Sequence, residues 1–270
     1  MKEIEQKISL KYPVLFIHGA GFRDKVFGIN YWGRIPKHFI QNNVSVYYAG
    51  TDAWGSIESN AQIIKDNLNR ILKEENVEKV NVIAHSRGGL EARYLISELG
   101  MEKYVSSLTT ISTPHRGSKA MNIALKVPEK LYRVVSFFID VWNRIIGDKQ
   151  PDFYRSSRQL SETYCTEFNK KYPNKESIYY QSYASELKYF FGDITFLFIY
   201  PFIKAFDGKN DGLCSVESAK WGEFKGIITT KGLFGISHSG VIDFYRINYK
   251  GQNLIELYLG IVNDLADKEY

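Results

Sequence analysis

A chain of 270 residues with 44% apolar and 24% charged residues has the ordinary globular balance, which excludes a disordered or fibrous protein and fits one large domain over 1–270. The formal charge of +5 comes from 35 Lys and Arg scattered along the chain, without the basic runs of a nucleic-acid-binding arm, so no nucleic-acid partner is expected. Cys165 and Cys214 match no disulfide framework or metal-ligand spacing, while 19 Tyr and 17 Phe supply wall material for a core or an apolar pocket.

From the N-terminus, the charged stretch Met1 to Pro13 lacks the apolar region of a Sec signal, so the protein is expected in the cytoplasm or exported by a route without that signal. Pro13 to Ile17 is a short apolar run closed by His18 and Gly19, as in a strand buried on both faces of a parallel sheet. Val44 to Tyr48 reads as the next strand. Ile57, Ala61, Ile64, Leu68, Ile71 and Leu72 recur at three- and four-residue steps and predict an amphipathic helix between Ser56 and Glu75.

Val80 to Ala84 is again a strand, and Leu90 to Leu99 a helix ending at Gly100. Val105 to Ile111, Ile178 to Ala184 and Phe224 to Thr229 supply further strands. This alternation predicts an α/β fold with a mostly parallel, doubly wound sheet. Two stretches interrupt it. Residues 115–176 are far longer than one crossover requires and carry helical patterns over Val127 to Ile146 and Ser156 to Lys171, which reads as an inserted cap. Residues 185–210 form a second excursion, rich in Phe. The longest mainly apolar runs, Val134 to Ile146 and Ile194 to Ile203, fall short of the roughly 18 to 20 residues that cross a bilayer, so no transmembrane segment is expected.

The chemistry concentrates at Val80 to Leu90, where a strand runs straight into a helix with Ser86 at the junction. Such an elbow is too tight for large side chains two positions either side of its nucleophile, and Ala84 and Gly88 are small. Ala84 replaces the commoner first Gly of the G-x-S-x-G pattern. The following helix points its positive end at the charge that develops during attack. A serine hydroxyl needs a base, and in α/β-hydrolases the chain order is Ser, acid, His. Of the five histidines only His238 lies near the C-terminus, on a Gly- and Ser-rich loop. Asp211, in an Asn-Asp-Gly turn, is the best acid, with Asp207 and Asp193 as rivals. The oxyanion needs backbone N–H donors, expected from Arg87, after the nucleophile, and from Ala20, in the glycine-bearing loop after the first strand.

Taken together, Tyr12 to Gly19, Tyr31 to Gly33, Val80 to Leu90 with Ala92 to Tyr94, Thr109 to Ser118, Asn210 to Leu213 and the His238 loop resemble the bacterial triacylglycerol lipases of the α/β-hydrolase superfamily, in the family's order and across most of the chain. The resemblance implies a Ser86, Asp211, His238 triad, an oxyanion hole from Ala20 and Arg87, and a lid over an acyl-chain cleft in the region after His115. Phe22, His85, Phe137, Phe138 and Trp142 are expected to contact substrate. The run from Val134 to Ile146 is too apolar for a one-faced surface helix and is expected to cover an apolar site. Many relatives hold a structural calcium through a carboxylate two residues after the histidine. Here that position is Gly240, with Asp243 three residues further on, so no metal and no cofactor is expected. The expected substrate is a lipid or other ester, met where possible at a lipid–water interface. The alternatives are a short-chain carboxylesterase, a thioesterase, or a hydrolase fold that binds lipid without catalysis.

Overall fold

A computed structural model describes residues 7–26 and 28–270. The N-terminal segment read for an export signal therefore lies partly outside the described residues. Six parallel strands, β1 (Val14–Ile17), β4 (Val46–Tyr48), β5 (Val80–His85), β6 (Val105–Ile111), β7 (Tyr179–Ser185) and β8 (Glu223–Ile228), form one sheet in the order β4-β1-β5-β6-β7-β8. A two-stranded ribbon, β2 (Lys25–Val26) and β3 (Ile29–Asn30), leaves the loop after β1.

The sheet separates two cores because successive side chains of a strand point to opposite faces. Val14 and Phe16 pack with Trp32, Phe39, Tyr258 and Ile261 from α1 (Ile35–Gln41), α10 (Leu254–Asp267) and the segment before α1. Leu15 and Ile17 pack on the other side with Ile64, Leu68, Leu95 and Ile96 from α2 (Ile57–Glu74) and α3 (Gly88–Ser97). Each fully buried side chain of this size stabilises the fold by about 1.5 to 3 kcal/mol. Ser56 caps α2, its side chain accepting from Ser59 N–H. The sheet is the mostly parallel one expected, here parallel throughout.

Between β6 and β7 lie α4 (Lys119–Ala124), α5 (Glu129–Ile145), α6 (Phe153–Arg158) and α7 (Glu162–Lys171), a helical insertion resembling a lid. The single helix read over Ser156 to Lys171 is two. Ser161 ends the first by capping the second, accepting from Tyr164 N–H, and Gly117 (φ 65°) packs so close to the Ser161 carbonyl that a Cβ there would lie 2.3 Å away. Arg93 of α3 anchors the insertion, donating to Asn169 Oδ1 at 2.8 Å and Tyr172 O at 3.1 Å while stacking 3.7 Å over Trp221. The second excursion folds into short turns and α8 (Ile199–Asp207), and α9 (Val216–Ala219) precedes β8. Among the described residues no helix is long and apolar enough to cross a membrane.

Candidate active site

Ser86 directly follows the central strand β5 and has φ 54°, a left-handed conformation that costs a non-glycine residue energy and is held only by its surroundings. Its N–H donates to Ile111 O at 3.0 Å, which ties the elbow to the end of β6. The glycines after it let α3 enter closely. A Cβ on Gly88 would lie 2.5 Å from His18 O, and one on Gly89 2.2 Å from Thr113 Oγ1. The loop after β1 is equally near: a Cβ on Gly19 would lie 2.7 Å from Ser86 Cβ. Among the described residues no backbone carbonyl accepts from the N–H of Ala20 or of Arg87. Ala20 borders the same cavity as Ser86.

His238 and Asp211 form a buried pair, Nδ1 to Oδ2 at 2.9 Å, and His238 N–H donates to Asp211 O at 2.8 Å. The carboxylate is saturated. Oδ1 accepts from the N–H groups of Leu213 and Cys214 at 3.1 and 2.8 Å, and Oδ2 also accepts from Ser185 Oγ at 2.7 Å. Burial alone would raise its pKa, but the facing His238 and these donors outweigh burial and hold it below the ordinary carboxylate range. The two rivals are committed elsewhere. Asp207 accepts from Ser118 and from the N–H groups of Lys119 and Ala120, serving the start of α4. Asp193 accepts from Ser237 Oγ at 2.5 Å and Tyr245 Oη at 2.9 Å, bracing the residue before His238.

Ser86 and His238 both line a cavity of about 670 Å³, the size of a pocket for a sizeable organic ligand. Its walls are apolar and come from three regions: Phe22 and Tyr31 beside the elbow, Met121 and Phe153 from the insertion, and Phe196, Phe198 and Phe202 from the second excursion. Phe22 packs on Phe244, and His85 borders the cavity with its side chain fully buried.

Phe137, Phe138 and Trp142 require a correction. They do not border the cavity, and stand 62%, 66% and 62% exposed on the outer face of α5. The helix is turned so that polar Ser136 and Asn143 face inward, satisfied by the carbonyls of Tyr132 and Ile139 one turn earlier, while Asp140 accepts from Phe153 N–H. The apolar face is thus left outside.

Several residues at the site escape sequence reasoning. Ser185 bonds the acid, and its hydroxyl in turn pairs with Ser112 Oγ at 2.8 Å, but a serine at a strand end carries no signal by itself. The Arg87 side chain is buried, bonded to Glu91 at 2.8 Å, and reaches Ser156 of α6. The aromatic density of the second excursion was the one available sign that it walls the cavity.

The residues present do not fit a metal. Gly240 offers no carboxylate, and both oxygens of Asp243 are taken by Arg34, whose N–H, Nε and Nη2 donate at 2.8, 2.9 and 2.7 Å. Among the described residues no group of three or more His, Cys, Asp or Glu side chains is placed to hold an ion.

The family model described as palmitoyl protein thioesterase matches residues 13–190. The chain is 30% identical over 266 residues to triacylglycerol lipase 2 of Saccharomyces cerevisiae, covering 90% of this chain and 75% of that one. It is 27% identical over 178 residues to a triacylglycerol lipase of Pseudarthrobacter phenanthrenivorans, covering 62% of this chain and 55% of the relative. The fold is shared with the mature Bacillus licheniformis lipase BlEst2 (TM-score 0.69, 17% identity, 94% and 93% of the two chains). It is also shared with the metagenomic carboxyl esterase MGS0156 (TM-score 0.75, 12% identity, 97% and 77%). A strained serine at the strand-to-helix elbow, an opposed His–Asp pair and this kinship together carry a serine-hydrolase apparatus for ester cleavage, and the chain belongs to the palmitoyl protein thioesterase family of the α/β-hydrolase superfamily, among lipase- and esterase-like relatives.

Proposed function

We propose that the protein is a lipase, hydrolysing acylglycerols through an acyl-enzyme on Ser86. The observation that supports it most is the His238–Asp211 pair opening onto the same apolar cavity as the strained Ser86. Asp211 keeps the His238 proton on Nδ1, which leaves Nε2 to take the Ser86 proton as Oγ attacks the ester carbonyl. The oxyanion is received by the N–H groups of Ala20 and Arg87, each such donor being worth about 2.7 to 4 kcal/mol. His238 then returns the proton to the departing alcohol, and water repeats the sequence on the acyl-enzyme.

Ser86→Ala is expected to lower hydrolysis of p-nitrophenyl esters by about 10³-fold or more without changing the circular dichroism spectrum, and to abolish labelling by a fluorophosphonate probe. Retained turnover would remove the nucleophile from this reading. Long-chain acyl esters are expected to be the better substrates, since the walls offer apolar contact well beyond the reacting carbon.

The matching family model favours a second reading, an acyl thioesterase using the same residues. Rates on an ester and a thioester of one acyl chain, compared as kcat/KM, separate the two.

A further inference from the structure

Beside the triad lies a hydrogen-bonded chain that the mechanism does not use. Gly19 N–H donates to Tyr31 Oη at 3.1 Å, and Tyr31 Oη lies 2.7 Å from His85 Nδ1. The phenol and the imidazole are both buried. With Gly19 donating to it, the phenol has one proton of its own to place, and His85 Nδ1 is where it goes; a phenol proton left without an acceptor here would carry a desolvation cost. Nδ1 is then the acceptor nitrogen, and the ring proton of neutral His85 sits on Nε2. Burial and the neighbouring His238 keep this imidazole well below the usual histidine range, so it remains neutral.

His85 Nε2 is buried and has no partner at hydrogen-bond distance. The His85 ring packs against the imidazole of His238, with centroids 4.4 Å apart and planes inclined at 46°.

We propose that Tyr31 and His85 are positioning residues: the chain from Gly19 N–H through Tyr31 fixes the His85 ring with its proton on Nε2, and the ring so held packs against the His238 imidazole and keeps it in register over Ser86. The relay joins the oxyanion loop, the elbow and the histidine loop into one unit. It rests on the serine-hydrolase reading given above for its effect on rate, but not for the protonation state, which belongs to the resting protein.

The first test is nitrogen NMR of ¹⁵N-histidine-labelled protein. His85 is expected as a single tautomer, pyridine-type at Nδ1 and pyrrole-type at Nε2, and Tyr31→Phe is expected to mix the tautomers. The second is kinetic. Tyr31→Phe should lower kcat by about tenfold to a hundredfold, the cost of a small misplacement, with KM little changed. His85→Gln, which keeps an acceptor for the Tyr31 proton, should retain more kcat than His85→Leu, which fills similar space without one. A pyrrole-type Nδ1 in the parent protein, or equal kcat in the Gln and Leu variants, overturns the relay. Failure of the nucleophile assignment would show instead as turnover in Ser86→Ala, with the His85 tautomer unaffected.

Discussion

At the scale of single residues, the acid of the pair is the most heavily constrained group in the site. Asp211 has its four acceptor positions filled by two backbone N–H groups, Ser185 and His238, which stabilise its ionised form in a buried setting. Since its folded pKa lies below its unfolded one, this contribution is complete above about pH 4, the ordinary carboxylate value, and fades as pH falls through the depressed folded value. Asp211→Asn is therefore expected to cost on the order of 1 to 3 kcal/mol near neutral pH and progressively less in acid. Urea unfolding of parent and variant at several pH values checks this, and parallel rather than converging curves would contradict it. Much at this scale is legible in the sequence: Ser86 is marked by small neighbours and by its place between strand and helix, and His238 by its position late in the chain. Asp211 stands out from Asp207 and Asp193 by its Asn-Asp-Gly turn, and the resemblance strengthens the choice, but the sequence does not show that the other two are occupied elsewhere. Ser185 and Tyr31 are not legible, since what gives them roles is proximity across the sheet end, a property of tertiary packing.

At the scale of elements, α5 shows what periodicity can and cannot convey. Apolar spacing predicts a helix over Val127 to Ile146 and the helix runs Glu129–Ile145, yet its greasy side faces outward, while Ser136 and Asn143 on the buried side are satisfied by carbonyls of the same helix. A pattern specifies a stripe, not what the stripe meets. Phe198, at 86% exposed, also lines the cavity and adjoins a second exposed apolar surface on α8. Under the lipase reading these faces meet lipid. Replacing Phe137, Phe138 and Trp142 together by Ser is expected to alter stability by about 1 kcal/mol or less, as the side chains are already in water, and to leave soluble-ester hydrolysis unchanged while slowing hydrolysis of an emulsified triacylglycerol. Equal loss on both substrates would show that the face does not serve an interface. The split of α6 from α7 is a further case where local spacing misleads: the Ser161 cap and the close approach of Gly117 override a nearly continuous helical pattern.

At the scale of the molecule, the doubly wound sheet is readable from alternating strands and helices, because strands buried on both faces leave continuous apolar runs and crossovers leave amphipathic ones. The strand order and the walls of the cavity are not, since they depend on which distant segments meet at the end of the sheet. One such meeting carries a consequence for anyone mapping damage to this protein. Gly33 (φ 53°) lies so close to the backbone of Asp243 that a Cβ would come within 2.0 Å of its carbonyl oxygen, and Arg34 next door grips the same residue's side chain. Gly33→Ala is expected to push on the turn five residues past His238, and Arg34→Met to release it at a cost of about 2 kcal/mol. Thermal melts and ester turnover check both, with activity expected to fall at temperatures where the fold persists. A screen for inactive variants would then collect lesions in an N-terminal dipeptide more than fifty positions upstream of the nucleophile, and these would imitate a broken general base although no chemical group of the reaction had been altered.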